Sequence, residues 1–367
     1  MKIGILTYHR AENYGALLQA YALFTYLRSR GHDVSFVDYW PKYHENYFKI
    51  LSLKNLMRGS LLSKLLCLYN GTIWAIPRLR RKRVMQSFMN EQLGLLKQAR
   101  YTTSDFCCSE YDVVVYGSDQ IWRKQNLPGH KGFDYIYFAS DNIVAKKISY
   151  AGSMGTINTT SEEDELLKQY YAKFSAISVR ETPLRDYLYK LGFNTTVVLD
   201  PVFLLKPENW RSLYSSSQKK FPEHILFYNL LNNKQSRKIA EKLSAKTKLP
   251  IVEITKKYGI MQCGNRYNHD ASVQEFLSLI DSASYIVSNS FHGVAFSIIF
   301  EKQFFATGMG ARANRVLSLL KAFGIENRYI DDLKDIPNTI DYGTLKTGIE
   351  ILRIKSEQYL INAIDNE

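Results

Sequence analysis

The chain has 367 residues, which is too long for one compact core, because single cores seldom grow beyond about 250–300 residues. A hydrophobic content of 46% with 23% charged residues excludes an intrinsically disordered protein. The formal net charge of +13 predicts an anionic partner, which is a phosphorylated substrate, a nucleic acid or an acidic lipid surface.

The first elements of the chain predict a Rossmann-like sheet. An apolar strand at residues 3–6 is followed by a loop that contains Asn13-Tyr14-Gly15 and by an apolar helix that ends at Gly31. A second strand, at residues 34–39, follows at once. This order of strand, helix and strand is the parallel crossover from which doubly wound sheets are built.

Residues from about 42 to 101 are helical and basic in pattern, and they predict a peripheral insertion on the first sheet. Its basic run, at residues 78–83, follows a leucine-rich stretch at residues 50–74, as in a basic amphipathic surface segment. The commonest explanation of such a run is a solvated helix face. The alternative is peripheral contact of residues 50–83 with an anionic membrane. We expect no nucleic acid partner, because the run is short and poor in aromatic residues.

The alternation of strands and helices then continues to the end of the chain. Strands are predicted at residues 112–116, 147–152 and 176–179, a hinge at 183–199, and further strands at 225–229, 251–255 and 285–288. We therefore predict an α/β protein with two Rossmann-like domains that face each other across a cleft, residues 1–195 and 196–340. Residues 341–367 predict an amphipathic helix that packs back on the first domain.

Three features predict a soluble, cytoplasmic protein. No segment has the roughly 18 uninterrupted apolar residues that span a bilayer. The sequence opens on a strand and not on the apolar segment of a signal peptide. The four cysteines form no CxxC pair, which is typical of a reducing compartment.

The motif Ser288-Asn289-Ser290-Phe291-His292-Gly293 lies where an apolar strand passes into an apolar helix. Unpaired backbone N–H groups and the positive end of the helix dipole favour a phosphate or carboxylate at such a position. His292 can donate a proton there. The alternative is a buried histidine that caps the helix.

A second motif, Val179-Arg180-Glu181-Thr182, also lies between a strand and a helix. The Arg180 guanidinium can make two parallel hydrogen bonds with a carboxylate or phosphate, which suits a small dianionic donor. The alternative is a structural ion pair of Arg180 with Glu181 or Asp200.

Two further motifs predict a sugar site at the ends of first-domain strands. They are Asn13-Tyr14-Gly15, with Gln19 one helical turn later, and Gly117-Ser118-Asp119-Gln120-Ile121-Trp122. Amides, hydroxyls and an aromatic ring bind sugars by hydrogen bonds and ring stacking, although the same residues also form turns and caps.

No cofactor or metal is expected. The chain contains neither a GxGxxG fingerprint at a strand end nor a Walker loop, so a nicotinamide or ATP site has no support. No cluster of His, Cys and carboxylate residues has the spacing of metal ligands, and His269-Asp270 alone indicates a polar loop.

A set of segments, taken in order, resembles the polysaccharide pyruvyl transferase family over nearly the whole chain. These segments are Lys2-Ile3-Gly4-Ile5-Leu6-Thr7, Asn13-Tyr14-Gly15, Gly117-Ser118-Asp119-Gln120-Ile121-Trp122, Ser149-Tyr150-Ala151, Val179-Arg180-Glu181, Leu199-Asp200-Pro201 and Asn289-Ser290-Phe291-His292-Gly293. The basic insertion and the C-terminal tail lie outside the resemblance.

The resemblance implies a glycosyltransferase-B-like pair of domains that uses phosphoenolpyruvate as the donor. The implied acceptor is a sugar in a nucleotide-linked or lipid-linked precursor of a capsule or exopolysaccharide, and the implied product is a pyruvate ketal. In such a mechanism a histidine protonates the methylene carbon of the enol, and His292 matches that histidine. Arg180 matches the arginine that holds the phosphate or carboxylate of the donor.

The resemblance also divides the candidate residues between the two domains. Besides His292 and Arg180, the donor is expected at Asn289, Ser290 and Gly293 in the C-terminal domain. The acceptor is expected in the N-terminal domain, at Asn13, Tyr14, Gly15, Gln19, Ser118, Asp119, Gln120 and Trp122.

The sequence departs from the family at one position. Characterised members carry an arginine two residues before the histidine, whereas this chain has Ser290 there. Arg315 and Arg312 are the candidates to replace that anion-binding side chain. A glycosyltransferase of the same fold that uses a nucleotide sugar is the alternative enzyme, and a basic interaction module with a vestigial cleft is the non-enzymatic alternative.

Overall fold

The computed structural model describes residues 1–47, 75–214, 221–255, 265–267, 270–310, 313–334 and 338–366. Within these ranges the chain forms two α/β units, each built on a parallel sheet, and the predicted pair of Rossmann-like domains is confirmed. The leucine-rich stretch at residues 50–74 and the candidate Arg312 lie outside the described residues.

The first unit consists of an N-terminal sheet and the helices that cover it. Its elements are β1 (Lys2–Leu6), α1 (Tyr14–Ser29), β2 (Asp33–Phe36), α2 (Lys42–Tyr47), α3 (Ala75–Leu93), β3 (Val113–Gly117), β4 (Gln125–Leu127), β5 (His130–Gly132), β6 (Lys146–Tyr150), α4 (Ser161–Tyr171), β7 (Ser178–Val179), α5 (Thr182–Lys190) and β8 (Thr196–Val197). Strands β2, β1, β3 and β6 pair in that order, all parallel. Every residue of β3 is buried, as expected for a central parallel strand that is covered on both faces.

The second unit repeats the alternation after a short 3₁₀ helix, Pro201–Leu204. Its elements are α6 (Pro207–Ser212), β9 (Ile225–Asn229), α7 (Lys234–Thr247), β10 (Ile251–Thr255), β11 (Asn265–Tyr267), α8 (Val273–Ser282), β12 (Tyr285–Ser288), α9 (Phe291–Ile299), β13 (Gln303–Ala306), α10 (Asn314–Ala322) and the C-terminal helix α11 (Tyr342–Asp365). The order β11-β10-β9-β12-β13 is 3-2-1-4-5 when the strands are counted along the chain, which is the order of the first five strands of a Rossmann sheet. The predicted bounds of β9, β10 and β12 are confirmed.

Tyr14 joins the two units at the first residue of α1. Its ring stacks on Phe276 of α8, with centroids 4.4 Å apart and planes 2° from parallel. Its hydroxyl donates a 2.7 Å hydrogen bond to the carbonyl oxygen of Ala271. Because Asn13 caps α1 through the backbone N–H of Gly15, the start of this helix is fixed at the contact between the units.

Helix α3 is part of the core, so the peripheral role predicted for the insertion is wrong for this helix. Its side chains Met85, Phe88 and Met89 are buried in the main hydrophobic cluster. The helix contacts both α1 and α8. On its polar side, Arg81 donates a hydrogen bond to the backbone carbonyl of Glu12.

The first unit extends past its predicted end at residue 195. Strand β8 pairs with β7, which follows β6 along the edge of the first sheet, so Thr196 and Val197 belong to the first unit and not to the second. Helix α11 then contacts both units. The Tyr342 hydroxyl at its start donates a 2.6 Å hydrogen bond to the carbonyl of Lys302, and the carbonyl of Ile364 near its end accepts one of 3.2 Å from Lys146 Nζ.

Some elements had no counterpart among the predictions. They are the β4–β5 hairpin, helix α4, and the β11, β13 and α10 segments of the second unit. No helix in the described ranges is both long and apolar enough to cross a membrane.

We expect Tyr14→Ala to lower the free energy of unfolding by about 3–5 kcal/mol, because it removes a buried ring and a hydrogen bond between the units. Urea unfolding followed by tryptophan fluorescence measures the change. The matched control is Tyr189→Ala, since Tyr189 is 75% exposed, and it should change stability by less than about 0.5 kcal/mol. Equal effects of the two substitutions would contradict this role of Tyr14.

Candidate active site

A cavity of about 370 Å³ lies between the two units, beyond the carboxyl ends of β1, β3 and β12. Open α/β sheets bind ligands at this edge. The first unit contributes Asn13, Asp119 and Gln120 to the cavity wall, and the second unit contributes Asn289, Ser290, His292 and Arg315. These predicted residues are therefore brought together by the fold.

His292 lies in the first turn of α9, directly opposite the start of α1. Ser290 is the N-cap residue of α9 and makes no side-chain capping hydrogen bond. A Cβ atom built on Gly15 would lie 2.0 Å from His292 Nδ1, which no real contact allows. Only glycine can therefore occupy position 15 while the histidine stays where it is.

Asp200 is buried behind His292, outside the cavity wall. Its Oδ2 lies 3.7 Å from His292 Nε2 and accepts hydrogen bonds from Ser118 Oγ at 2.8 Å and from Arg180 Nη1 at 2.5 Å. Its Oδ1 accepts a 3.1 Å hydrogen bond from the backbone N–H of Val202. The buried carboxylate of Asp200 is therefore both ion-paired and hydrogen-bonded, which offsets the cost of removing its charge from water.

The pKa of Asp200 lies well below its ordinary value. Burial raises the pKa, but the neighbouring His292 and the positive charge of Arg180 more than offset that effect. Because the folded-state pKa is lowered, ionised Asp200 stabilises the fold at neutral pH. That contribution is lost as the pH falls below the ordinary range of a carboxyl group.

Arg180 does not reach the cavity, so the predicted direct contact with the donor is replaced by its structural alternative. The guanidinium forms the ion pair with Asp200, and its Nε lies 3.9 Å from Glu181 Oε2. Its Cζ lies 4.6 Å from the ring centroid of Phe291, which separates it from the cavity. Nε and Nη2 are buried without a hydrogen-bond partner among the described residues.

Arg315 is the candidate arginine that lines the cavity. It lies in the first turn of α10, with Cζ 5.8 Å from the ring centroid of Phe291, on which Arg180 also packs. Burial and the charge of Arg180 lower the pKa of Arg315 to about 10, so this side chain is positively charged at neutral pH. It forms no ion pair within the described ranges.

Several predicted residues support the cavity from behind and do not line it. Gln19 Nε2 donates to Thr7 Oγ1 at 2.9 Å, and Ser118 holds Asp200. Gly293 packs tightly, since a Cβ atom there would lie 2.2 Å from Ser288 Oγ. The remaining buried ones are Tyr14 and Gly15 at the contact between the units.

The sugar-stacking role predicted for Trp122 is wrong. Trp122 is fully buried, its ring packs on Tyr171 at 4.9 Å, and its Nε1 donates a 2.9 Å hydrogen bond to the carbonyl of Tyr137. The ring also fills the space above Gly152, where a Cβ atom would lie 2.4 Å away. A side chain enclosed in this way has no face to offer a ligand.

The aromatic and amide residues at the other end of the cavity were not predicted from the sequence. Tyr8 and Trp40 follow the first two strands, so the rule that sites lie at strand ends could have found them. The other residues in this part of the wall carry no such signal, because they lie on α2 or around the unpredicted hairpin; they are His44, Arg123, Gln125 and Asn126.

The side chains at this aromatic end of the cavity are held in place by ring contacts and a hydrogen bond. The ring of His44 stacks on Trp40 at 4.8 Å and meets Tyr8 edge-on at 5.0 Å. Gln125 Nε2 donates a 2.9 Å hydrogen bond to the Tyr8 hydroxyl. Burial, assisted by the nearby His130, lowers the pKa of His44 to about 4, so its ring is neutral at pH 7.

In the described ranges, no three His, Cys, Asp or Glu side chains lie close enough together to hold a metal ion. The absence of a metal and of a cofactor from the reaction stays a prediction.

The model of the polysaccharide pyruvyl transferase family matches residues 13–309, which is well over half of the chain. This protein belongs to the polysaccharide pyruvyl transferase family. The resemblance seen in the sequence is thereby confirmed. The part that matches the pyruvyl transferase family includes Asp200 and His292 and ends before Arg315.

Comparison with curated proteins found no match. Solved structures similar to this pyruvyl transferase family member include a UDP-GlcNAc 2-epimerase from Neisseria meningitidis, at 7% identity and a TM-score of 0.43 over 98% of this chain and 100% of that one. E. coli ADP-heptose LPS heptosyltransferase II is 9% identical, with a TM-score of 0.34 over 97% and 100%. A functionally uncharacterised Klebsiella pneumoniae protein is 11% identical, with a TM-score of 0.38 over 68% and 84%.

We expect Gly15→Ala to lower the turnover of this pyruvyl transferase family member by about 10²-fold, because the added methyl group displaces His292. Turnover assays beside thermal unfolding measure the two effects separately. Gly348→Ala is the matched control, since Gly348 lies on α11 with open space around its Cα, and it should leave turnover unchanged. Full activity of Gly15→Ala would show that the close approach has no part in the site.

Proposed function

We propose that this protein is a phosphoenolpyruvate-dependent pyruvyl transferase. It moves the enolpyruvyl group onto two hydroxyls of a sugar in a glycan precursor, forming a pyruvate ketal and releasing phosphate. The observation that carries the proposal is the position of His292, which lies on the first turn of α9 in the same cavity wall as Arg315. A proton donor beside a fixed positive charge is what protonation of an anionic enol requires.

The donor is proposed to bind at the N-terminal end of α9. The first backbone N–H groups of a helix have no partner within it, and with the helix dipole they favour a phosphate or carboxylate. Arg315 supplies the charge that other family members carry at the position of Ser290. Arg315 lies on α10 and lines the cavity, which supports the proposal that it takes the role of the arginine missing at position 290.

In the proposed reaction, His292 is the only protein group that gives up or accepts a proton. The protonated His292 gives a proton to the methylene carbon of phosphoenolpyruvate, which becomes a methyl group, and positive charge develops on the adjacent carbon. One sugar hydroxyl attacks that carbon and returns its proton to His292. Phosphate leaves with the electrons of its C–O bond, the second hydroxyl closes the ring, and its proton passes to the released phosphate.

The acceptor is proposed to occupy the other end of the cavity. Trp40 and Tyr8 offer aromatic surface, and Gln125 and Asn126 offer amides, which together suit a sugar ring and its hydroxyls. Arg123 is exposed and has no ion pair within the described ranges, so it suits the phosphate groups of a nucleotide-linked or lipid-linked precursor. Asn13, Asp119 and Gln120 line the wall between the two ends.

We expect metal-free protein to bind phosphoenolpyruvate saturably in calorimetry, and Arg315→Gln to weaken that binding by about 10- to 100-fold through the loss of charge-assisted hydrogen bonds. The control is Arg185→Gln, which removes the same charge from an exposed ion pair with Asp186 outside the cavity and should leave affinity unchanged. Parallel titrations use uridine and guanosine diphosphate sugars.

Two results would contradict the proposal. Binding of nucleotide sugars without any binding of phosphoenolpyruvate would favour the glycosyltransferase alternative. Binding of phosphoenolpyruvate that is equally tight in Arg315→Gln would remove Arg315 from the donor site. A positive result is completed by mass spectrometry of candidate acceptors, which gain the mass of a pyruvate ketal as phosphate is released.

The cytoplasmic location of the protein stays a prediction. Peripheral contact of residues 50–83 with an anionic membrane also stays a prediction. Within the described part of that segment, Lys82 and Arg83 are exposed, whereas Arg81 is engaged with Glu12. We expect cosedimentation at low salt with vesicles of phosphatidylglycerol and phosphatidylcholine, and a weaker response for Lys82→Glu combined with Arg83→Glu. Vesicles of phosphatidylcholine alone are the control, and a protein that ignores the anionic vesicles would end this prediction.

A further inference from the structure

We infer that His292 delivers its proton from Nδ1, and that Asp200 is the positioning residue that holds Nε2 away from the substrate. The inference rests on the proposed function for the identity of the reaction. It deepens that function by assigning one ring nitrogen to catalysis and by giving Asp200, Ser118 and Arg180 a shared purpose behind the cavity.

The two ring nitrogens of His292 have different surroundings. Nε2 is buried, has no hydrogen-bond partner within the described residues, and points towards Asp200 Oδ2 at 3.7 Å. Gly15 covers one side of Nδ1, at the edge where α1 meets α9, but unlike Nε2 this nitrogen is not fully buried. Since the His292 side chain lines the cavity and Nε2 is enclosed, Nδ1 is the nitrogen that a bound enol can reach.

Asp200 is held too firmly to turn towards another partner. Its carboxylate accepts hydrogen bonds from Ser118 Oγ, Arg180 Nη1 and the backbone N–H of Val202. The side chain of Asp200 has no exposed surface. Asp200 also begins the Pro201–Leu204 helix, which contacts α1, α9 and α11. The carboxylate therefore presents a fixed negative charge to the enclosed nitrogen.

This arrangement lets one histidine act first as an acid and then as a base. The imidazolium carries protons on both nitrogens, and the Nδ1 proton goes to the methylene carbon. The neutral ring keeps its Nε2 proton, directed at Asp200, and its Nδ1 lone pair receives the proton of the attacking hydroxyl. Asp200 takes up no proton in either step and stabilises the imidazolium, as the buried aspartate does in a Ser–His–Asp triad.

Arg180 and Ser118 act through Asp200 and not on the donor. Arg180 balances the buried negative charge, which would otherwise be costly, and Ser118 fixes the direction of Oδ2. The inference thus explains why the arginine that resembles the family's donor-binding residue is enclosed behind Phe291.

The deciding measurement is the tautomer of neutral His292 in the wild-type protein, by NMR with ¹⁵N-labelled histidine and without substrate. The chain has seven histidines, and His292→Gln identifies the signals that belong to this ring. The expected result is a proton on Nε2 and a bare Nδ1. A proton on Nδ1, or an even mixture, would overturn the inference whether or not the protein transfers pyruvyl groups.

Kinetics provide the second arm. Asp200→Asn should lower kcat by about 10²- to 10⁴-fold, with the KM for phosphoenolpyruvate changed by less than about threefold, and should mix the two tautomers. The control is Asp186→Asn, which breaks an exposed pair with Arg185 outside the cavity wall and should leave both tautomer and kcat unchanged. An Asp200→Asn enzyme with wild-type kcat, or with only KM altered, would overturn the inference.

Ser118→Ala covers the case in which Asp200→Asn does not fold. It keeps the carboxylate and its ion pair while removing one hydrogen bond to Oδ2, so a partial loss of kcat with an altered tautomer ratio is expected. An unchanged tautomer ratio in Ser118→Ala together with Nδ1–H in the wild type would count against Asp200. If the tautomer is as expected but no acceptor is ever modified, the proposed function fails while the assignment of the two nitrogens stands.

Discussion

The His292 ring lies against the backbone of Gly15 so closely that a single methyl group cannot be inserted between them. The two residues begin helices in different units, so the first turn of each helix forms part of the surroundings of the other. Tyr14, one residue earlier, stacks on Phe276 and holds the units in register. The geometry of the site therefore depends on how accurately one unit is seated on the other, and not only on the local fold of either.

A second constraint, the cost of burying charge, governs the residues behind the site. An ionised carboxylate out of water is costly unless it is paired and hydrogen-bonded, and Asp200 meets both conditions with Arg180, Ser118 and the N–H of Val202. These partners come from the ends of two strands and the start of a 3₁₀ helix. Two nitrogens of Arg180 have no hydrogen-bond partner among the described residues, and a catalytic role of the neighbouring site is one of the explanations for such a buried group.

The strand-end rule was the most useful guide from sequence to site. Apolar strands such as β9 and β12 could be predicted to the residue, because buried parallel strands are short apolar runs with polar residues at their carboxyl ends. The rule predicts that His292, Asn289 and Asp119 lie near one another, and all three line the cavity. It does not distinguish a residue in the cavity wall from one behind it. For that reason a ligand contact was predicted for Arg180 and Trp122, which lie behind the wall. The residues that enclose them in space are distant in sequence.

The β4–β5 hairpin shows a different limit. Its two three-residue strands are too short for a periodic pattern, so nothing in the sequence marked Gln125 and Asn126 as part of the cavity wall. Arg315 was identified only as a possible replacement, because its position depends on the path of the chain after β13. Gln125, Asn126 and Arg315 lie outside the segments that carry the family resemblance, and tertiary packing places them in the cavity wall.

Helix α11 has 24 residues and a length of about 36 Å, enough to run from the second unit back across the first. The Tyr342 hydroxyl is hydrogen-bonded to Lys302 at one end, and the carbonyl of Ile364 is hydrogen-bonded to Lys146 at the other. Between these ends the helix packs beside the chain crossing at Asp200, where Ser356 Oγ accepts a 2.9 Å hydrogen bond from the backbone N–H of Leu199. The chain crossing and the helix therefore form one contact between the units and stabilise each other. Loss of α11 would thus remove packing from the crossing itself, so the position of Asp200 behind His292 depends on a helix that does not touch the cavity.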